Sequence, residues 1–164
     1  MFLQRLDFGN LVLGANLLEG GVNGIWITDS QAEGSLTIVG GTIEGVSGTG
    51  LYLEKTFLSS SVTGTHFEAN GVADVTLEGT FNVRLSAIVS LTKINLRPVG
   101  AYTTKNVQIS DSIVERIHID SPTPFANGRI QLQNITRGLV ACNPGDYDIQ
   151  DPLVIQVNVA CYPN

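Results

Sequence analysis

Charged residues, lysine, cysteine and tryptophan are all scarce in this chain. Of its 164 residues 15% are charged, whereas about 25% is usual for soluble domains. No stretch of about 18 apolar residues occurs, which excludes a transmembrane helix and makes a membrane an unexpected partner. Because fifteen acidic residues stand against nine basic ones, no basic stripe is available for phosphates, and nucleic acid is not an expected partner either.

Glycine and β-branched residues, by contrast, are abundant. Glycine occurs 18 times, and valine, isoleucine and threonine together occur 44 times. β-branched side chains lose rotamer freedom in helices and pack well on pleated sheets, and no segment has a sustained helical periodicity. With 43% hydrophobic residues and a net charge of only −6, disorder is not expected. The composition therefore predicts an all-β domain.

Two sets of strand-like units recur along the chain, each unit having an apolar residue, a variable residue and a second apolar residue. Successive units begin 21 to 26 residues apart in the first set and 19 to 26 residues apart in the second. Glycines between the units supply the turns. The first set begins at Leu11, Leu36, Val62, Val83, Val107 and Ile130, and the second begins at Ile25, Leu51, Val75, Ile94 and Ile117.

Short strands that repeat with one period predict a solenoid, in which each coil stacks on the next with parallel strands about 4.8 Å apart. An immunoglobulin-like sandwich also has many short strands, but it would not keep two sets in phase. We predict a parallel β-helix of about six coils with a short N-terminal cap over residues 1–140. Residues 141–164, which follow a break in the pattern, would form a C-terminal cap over the open end of the last coil.

The stretch SLTIVGGTIEG at residues 35–45, followed by GTGLYL at residues 48–53, resembles coils of right-handed parallel β-helices. These belong to the pectin-lyase-like superfamily, which includes pectate lyases, polygalacturonases and bacteriophage tailspikes. The resemblance covers about residues 10–140 and implies the right-handed fold, but it implies no single activity because many functions share the scaffold. It also implies that the sheet of the second set lines a glycan groove. Phage members are usually trimers, which implies a homotrimer or association with other virion proteins.

In-register stacking of the second set would place its outward residues in a stripe on one face. Aromatic rings can stack on a pyranose and charged groups can bond to its hydroxyls, so a polysaccharide is a candidate partner. A solvated face with local ion pairs is the alternative. The candidate glycan-contacting residues are Trp26, Tyr52, Glu54, Glu78, Arg97, His118 and Asp120.

Catalysis has weaker support in the sequence. Only Arg116-Ile117-His118 comes near the Arg-Ile-Lys stretch of polygalacturonases, and the aspartate cluster of those enzymes is missing. Glu54 and Glu78 would lie about 5 Å apart, which is the separation of the two carboxylates in a retaining glycosidase. This pair is the only candidate for catalytic residues, and no cofactor is expected.

Acidic residues and both cysteines occur in the predicted cap. Asp146, Asp148 and Asp151 could hold a calcium ion together with backbone carbonyls, or they could form a polar loop. Cys142 and Cys161 could form a disulfide, which would contribute on the order of 3 kcal/mol, or they could remain reduced thiols.

The sequence favours a non-catalytic structural or glycan-contacting module of a virus-like or phage particle, such as a tailspike, fibre or decoration protein. The alternatives are a polysaccharide lyase or glycoside hydrolase, or a fragment of one, and a glycan-binding adhesin. Arg5 and Asp7 interrupt any signal-peptide core, so we expect synthesis in the cytoplasm and a location in the virion or outside the cell after release. Tyr102 and Phe125 lie in long loops and would meet either a ligand or a neighbouring subunit.

Overall fold

The computed structural model describes residues 1–4, 9–14, 17–30, 34–100, 102, 104–119, 130–136, 147–149 and 154–160. This part of the chain contains eighteen β-strands, which pair in parallel, and no helix. It forms a parallel β-solenoid of about five turns, so the predicted all-β solenoid is confirmed. The predicted count of about six coils is slightly too high. None of the described segments is a helix long and apolar enough to cross a membrane.

The first side of the solenoid, called side 1, is a seven-stranded parallel sheet. It follows the predicted second set of units in register, from Ile25 through to Ile117. The outward residues between the apolar ones therefore stack as predicted. The strands of side 1 are β1 (Phe2–Gln4), β4 (Ile25–Thr28), β7 (Thr49–Glu54), β10 (Ala73–Glu78), β13 (Ile94–Arg97), β15 (Ile117–Ile119) and β17 (Tyr147–Ile149).

The second side, called side 2, contains the first set of units, with one correction. Leu36 pairs with Ser60 and Ser60 with Val83, so the unit predicted at Val62 in fact begins two residues earlier. The error arose because a serine occupies an inward position there and hides the apolar pattern. The strands of side 2 are β2 (Gly9–Gly14), β5 (Gly34–Val39), β8 (Ser59–Thr63), β11 (Phe81–Ser86), the first part of β14 (Lys105–Val114), β16 (Ile130–Thr136) and β18 (Val154–Ala160).

A third side, called side 3, has no counterpart in the two predicted sets. Its separate strands have three residues or fewer, and typically only one residue, such as Ile43 or Phe67, faces the core. In the fifth coil, sides 2 and 3 merge into one continuous strand, because β14 pairs with both β11 and β12. The strands of side 3 are β3 (Leu17–Glu19), β6 (Thr42–Glu44), β9 (His66–Glu68), β12 (Val89–Ser90) and the last residues of β14.

The core is a column of apolar side chains that runs through the coils. Isoleucine, leucine and valine from all three sides are buried in it, together with Phe67. Burying each such side chain is worth roughly 1.5–3 kcal/mol, so this column is the main source of stability. At the N-terminal end Leu11, Leu13 and Leu18 are only partly buried, and a small apolar cavity of about 90 Å³ lies there.

The carboxylate of Asp74 is fully buried at the corner between sides 3 and 1. It accepts hydrogen bonds from Asn70 Nδ2 at 2.7 Å, from Ser90 Oγ at 2.9 Å and from the backbone N–H of Thr92 at 2.7 Å. A buried charge is costly unless hydrogen bonds satisfy it. Asn70 also donates to the carbonyl of Ile43, so this group ties one coil to its neighbours.

The sharp corners between sides require backbone in the left-handed region. Gly40 and Gly41, with φ of 65° and 80°, form the corner between β5 and β6. Asn82 and Asn106, both with φ of 55°, occupy equivalent positions near the start of β11 and β14, where asparagine tolerates this conformation better than most side chains. The amide of Asn106 donates to Oδ1 of Asn82 at 3.2 Å, which adds a contact between the two coils.

The described residues of the segment 141–164, which are 147–149 and 154–160, form two strands of the solenoid. β17 pairs with β15 on side 1, and β18 pairs with β16 on side 2, both in parallel. This part of the predicted cap therefore continues the two sheets. The division at residue 140 and the right-handed course stay predictions.

We expect Gly24→Ala to lower the free energy of unfolding by about 1–3 kcal/mol. A Cβ on Gly24 would lie 2.5 Å from the carbonyl oxygen of Gly50 on the next coil and 2.6 Å from Cγ2 of Ile43, so the coils would have to separate. Gly14→Ala is the matched control, because the atom nearest to its Cβ lies 4.0 Å away. The measurement is urea unfolding of both variants, and equal effects of the two substitutions would contradict the prediction.

Candidate functional site

The predicted stripe exists on side 1 as a row of outward side chains. Trp26 is in register with Tyr52, and Glu54 is in register with Glu78, which in turn pairs with Arg97. We call Phe2, Trp26, Tyr52, Glu54, Glu78 and Arg97 the strip. Phe2 was not predicted as a member, but β1 pairs it with Trp26.

The aromatic part of the strip is a stack of three rings. Trp26 and Tyr52 lie nearly parallel, with centroids 5.6 Å apart and an interplanar angle of 10°. Phe2, on β1, packs against Trp26 on the side opposite to Tyr52. The ring centroids of Phe2 and Trp26 are 4.7 Å apart and the interplanar angle is 60°. Because Trp26 lies between two rings, its faces contact protein, and its Nε1 is buried without an acceptor in the described part of the chain. The exposed ring of the stack is that of Phe2, at 55%.

The polar part of the strip is centred on Glu78, which is only 6% exposed although it lies on the outer face. Its Oε2 accepts a hydrogen bond from the Tyr52 hydroxyl at 2.5 Å, and its Oε1 accepts one from Nε of Arg97. Both oxygens are thus occupied by neighbours on the preceding and following coils. Burial, followed by the hydrogen bond to Glu78 and the negative charges of Glu78 and Glu54, raises the pKa of the Tyr52 phenol well above its usual value.

Glu54 lies beside Glu78 in register, so two carboxylates are neighbours across about 4.8 Å of sheet. Glu54 accepts a hydrogen bond from Thr28 Oγ1 at 3.3 Å, and Nζ of Lys55 is 3.7 Å from its Oε1. Lys55 also lies 3.9 Å from Asp29. The two glutamates therefore have separate cationic partners, Lys55 and Arg97, which offset the repulsion between them.

The other predicted residues have different outcomes. His118 lies on β15 in register with Asn95, half-buried, and continues the row away from the aromatic end. Asp148 lies on β17 in register with His118. The remaining candidates, which are Asp120, Asp146, Asp151, Cys142, Cys161 and Phe125, lie outside the described residues.

Tyr102 belongs to a second aromatic cluster, which the sequence did not indicate. Its ring meets Phe57 edge-on with centroids 5.8 Å apart, and Phe57 stacks on Phe81 at 4.8 Å. Nζ of Lys105 lies 4.4 Å from the centroid of Phe81, in cation–π geometry. Phe57 and Phe81 are separated by the length of one coil in the sequence, and this spacing could have predicted that their rings stack.

The strip can offer a rigid, partly aromatic surface with one exposed cationic group, the guanidinium of Arg97, whose side chain is 46% exposed. Among the described residues no group of three or more His, Cys, Asp or Glu side chains is placed to hold a metal ion.

We expect Tyr52→Phe to destabilise the protein by about 1–2 kcal/mol at neutral pH, because Glu78 loses a donor while it remains buried. The raised phenol pKa also predicts the pH dependence. Above the unfolded-state value of about 10 the folded state keeps a proton that the unfolded state releases, so wild-type stability falls as pH rises. The difference between wild type and variant should therefore shrink above about pH 10.

Urea unfolding between neutral and alkaline pH measures both effects. Tyr102→Phe is the control, because in the described part of the chain its hydroxyl has no hydrogen-bond partner. This control should keep the wild-type profile. A Tyr52→Phe variant with the same alkaline decline as wild type would contradict the assignment.

Comparisons with protein-family models, with curated proteins and with solved structures find no match for this chain. The assignment of a function therefore rests on the solenoid and on the side chains of the strip.

Proposed function

We propose that this chain is a non-catalytic β-solenoid module of a virion or another extracellular assembly, of the tailspike, fibre or decoration type, and that its strip contacts glycans. The pectin-lyase-like and tailspike resemblance of the sequence is part of this proposal. The parallel β-solenoid is compatible with it, but the same scaffold would serve other functions.

The observation that carries the proposal is the pairing of the strip's side chains with one another across coils. Tyr52 stacks on Trp26 and donates to Glu78, and Glu78 accepts from Arg97. Side chains held in this way lose little further freedom on binding, so a ligand would meet a pre-organised surface. Such a surface suits recognition or assembly.

The state of the two glutamates supports a non-catalytic role. A retaining glycosidase requires one carboxylate as a nucleophile and one as an acid, each open to the scissile bond. Both oxygens of Glu78 are occupied and the side chain is buried, while Glu54 is held by Thr28 and Lys55. Hydrolysis at this pair would require both contacts to break.

Glycan contact would use the solvent-facing parts of the strip. The exposed ring of Phe2 can pack on the apolar face of a sugar, and Arg97 can donate to hydroxyl or carboxylate groups. Trp26 and Tyr52 would contribute their edges and fix the ring of Phe2 in place.

Glycan binding is tested with an array of neutral and acidic polysaccharides, using wild type, Trp26→Ala and Tyr52→Ala. Both variants should weaken binding by at least about tenfold, since Trp26→Ala removes the support of the exposed Phe2 ring and Tyr52→Ala removes the ring that holds Trp26 in place. Tyr102→Ala, an exposed aromatic outside the strip, should bind like wild type. Thermal melting confirms that each variant is folded, and binding unchanged by both strip variants would refute glycan contact at the strip.

The same polysaccharides are assayed for new reducing ends and for unsaturated uronates. We expect neither product. If wild type cleaved a polysaccharide and both Glu54→Gln and Glu78→Gln abolished that cleavage, the non-catalytic assignment would be overturned in favour of a polysaccharide-degrading enzyme.

The assembly part of the proposal is a homotrimer. Several valine and leucine side chains of the first coil are exposed, including Val12 at 67% and Leu17 at 61%, and contact between copies would cover such residues. Light scattering or native mass spectrometry should give three times the mass of one chain. A stable monomer at micromolar concentration would contradict it.

A further inference from the structure

Side 2 carries a trough on its outer face, on a different sheet from the strip. The trough has a volume of about 460 Å³ and is lined by residues of four successive strands, β5, β8, β11 and β14. It therefore runs across the strands, along the solenoid axis, over three inter-strand steps or about 14 Å. This size lies in the range of small-ligand sites.

The shape of the trough follows from the order of side-chain sizes along the axis. Thr37, Ser61, Arg84 and Gln108 are in register on consecutive strands and all point outward. The small hydroxyl residues of β5 and β8 form a low floor, and the longer side chains of β11 and β14 rise beside it. The concavity is thus built by the coil register and does not depend on a loop.

The lining offers many hydrogen-bonding groups that the protein does not use. Within the described part of the chain, the hydroxyls of Thr37, Ser59 and Ser61 and the amide of Gln108 form no hydrogen bond. Asn106 donates to Asn82, which leaves the NH₂ group of Asn82 and the carbonyl oxygen of Asn106 available at the edge. Hydroxyls and amides that both donate and accept match the hydroxyl groups of a sugar.

The charge of the trough differs from that of the rest of the molecule. Its lining contains Arg84 and no carboxylate, in a protein whose net charge is −6. Arg84 is exposed, and among the described residues it has no acidic partner within ion-pair distance. In contrast, side 3 stacks Glu19, Glu44 and Glu68 in register. A ligand with a carboxylate would therefore meet, on side 2, an arginine without the acidic partner that Arg97 has on side 1.

We propose that this trough, which we call the Arg84 trough, binds an oligosaccharide that carries a carboxylate, such as a uronic or sialic acid residue. The guanidinium of Arg84 pairs with the carboxylate, because its planar fork matches two carboxylate oxygens. Serine, threonine, asparagine and glutamine side chains of the trough bind the hydroxyls of this sugar and of its neighbours along the axis.

The lining favours an acidic sugar over other anions. A phosphate site usually gathers several cations or backbone N–H groups, and the trough has one arginine. An acidic peptide would need hydrophobic pockets or a free strand edge, whereas β5, β8, β11 and β14 are interior strands whose backbone is already paired. A shallow surface that presents hydroxyl and amide groups and a single cation is best matched by a hydroxyl-rich chain with one acid per sugar.

The test is calorimetric titration of the full chain with two pairs of probes. One pair is trimannuronate and its fully methyl-esterified form, and the other is 3′-sialyllactose and lactose. We expect the acidic member of at least one pair to bind, and its neutral counterpart to bind at least about tenfold more weakly, since it lacks the charged group that Arg84 would pair with. Binding of trimannuronate alone indicates a polysaccharide source, and binding of sialyllactose alone indicates a glycoconjugate.

Three variants locate the site. Arg84→Gln should lose at least about tenfold in affinity for the acidic probe. Arg84→Lys keeps the positive charge but lacks the planar guanidinium, so its affinity should lie between those of wild type and Arg84→Gln. Lys93→Gln removes one positive charge from a residue that does not line the trough and should bind like wild type. Circular dichroism checks that these surface substitutions leave the fold intact.

Three results would overturn the proposal. They are no binding of either acidic probe at millimolar concentration, equal binding by Arg84→Gln and wild type, and equal binding of triglutamate peptide and the acidic sugars. The trough and the strip lie on different sides, so the two proposals fail separately. Loss of binding in Trp26→Ala with no effect of Arg84→Gln would assign the sugar to the strip alone.

Discussion

Parallel hydrogen bonding between successive coils is the constraint on which the rest of this molecule depends. A strand on any side has its backbone partners one coil earlier and one coil later, as Leu36 has in Leu11 and Ser60. The spacing of about 4.8 Å therefore holds throughout the sheets and leaves no room for a Cβ at places such as Gly24. Inward positions can join into one column only because this register is maintained.

The same register brings equivalent residues of different coils side by side, whether or not they attract each other. On side 1 it stacks aromatic rings, which is favourable, and it also places Glu54 beside Glu78, which is not. Arg97 on the next coil and Lys55 beside Glu54 offset the repulsion between these two glutamates. Side 2 avoids the difficulty with neutral polar residues around a single arginine. The three sides thus differ in chemistry because each propagates a different row of residues along one axis.

Sequence reasoning predicted the class of fold and the register of side 1, because there the apolar residues recur in every coil without interruption. It placed one unit of side 2 wrongly, since Ser60 occupies an inward position that pattern analysis reserves for apolar residues. It missed side 3, where a strand with a single inward residue such as Phe67 has no alternation to detect. Short strands of this kind are defined by their neighbours in space.

The candidate site was predictable as a row but not as a set of contacts. The stacking of Trp26 on Tyr52 follows from the register alone. The burial of Glu78 under Tyr52 and Arg97 depends on side-chain rotamers, which spacing does not determine. The Arg84 trough likewise required the relative heights of side chains on four strands, a property of the folded surface.

The nearly constant length of the coils has a consequence for how such a chain can change. Leu36 and Ser60 occupy equivalent positions on adjacent coils, 24 residues apart. Excision of residues 36–59 would join Ser35 to Ser60 at points that already lie one strand apart, and the flanking coils would meet in the same register. Duplication of such a segment would lengthen the molecule by the same rule. A gene encoding this protein can therefore gain or lose whole coils. Each such change adds or removes one member of every surface row, while the remaining coils keep a continuous apolar core.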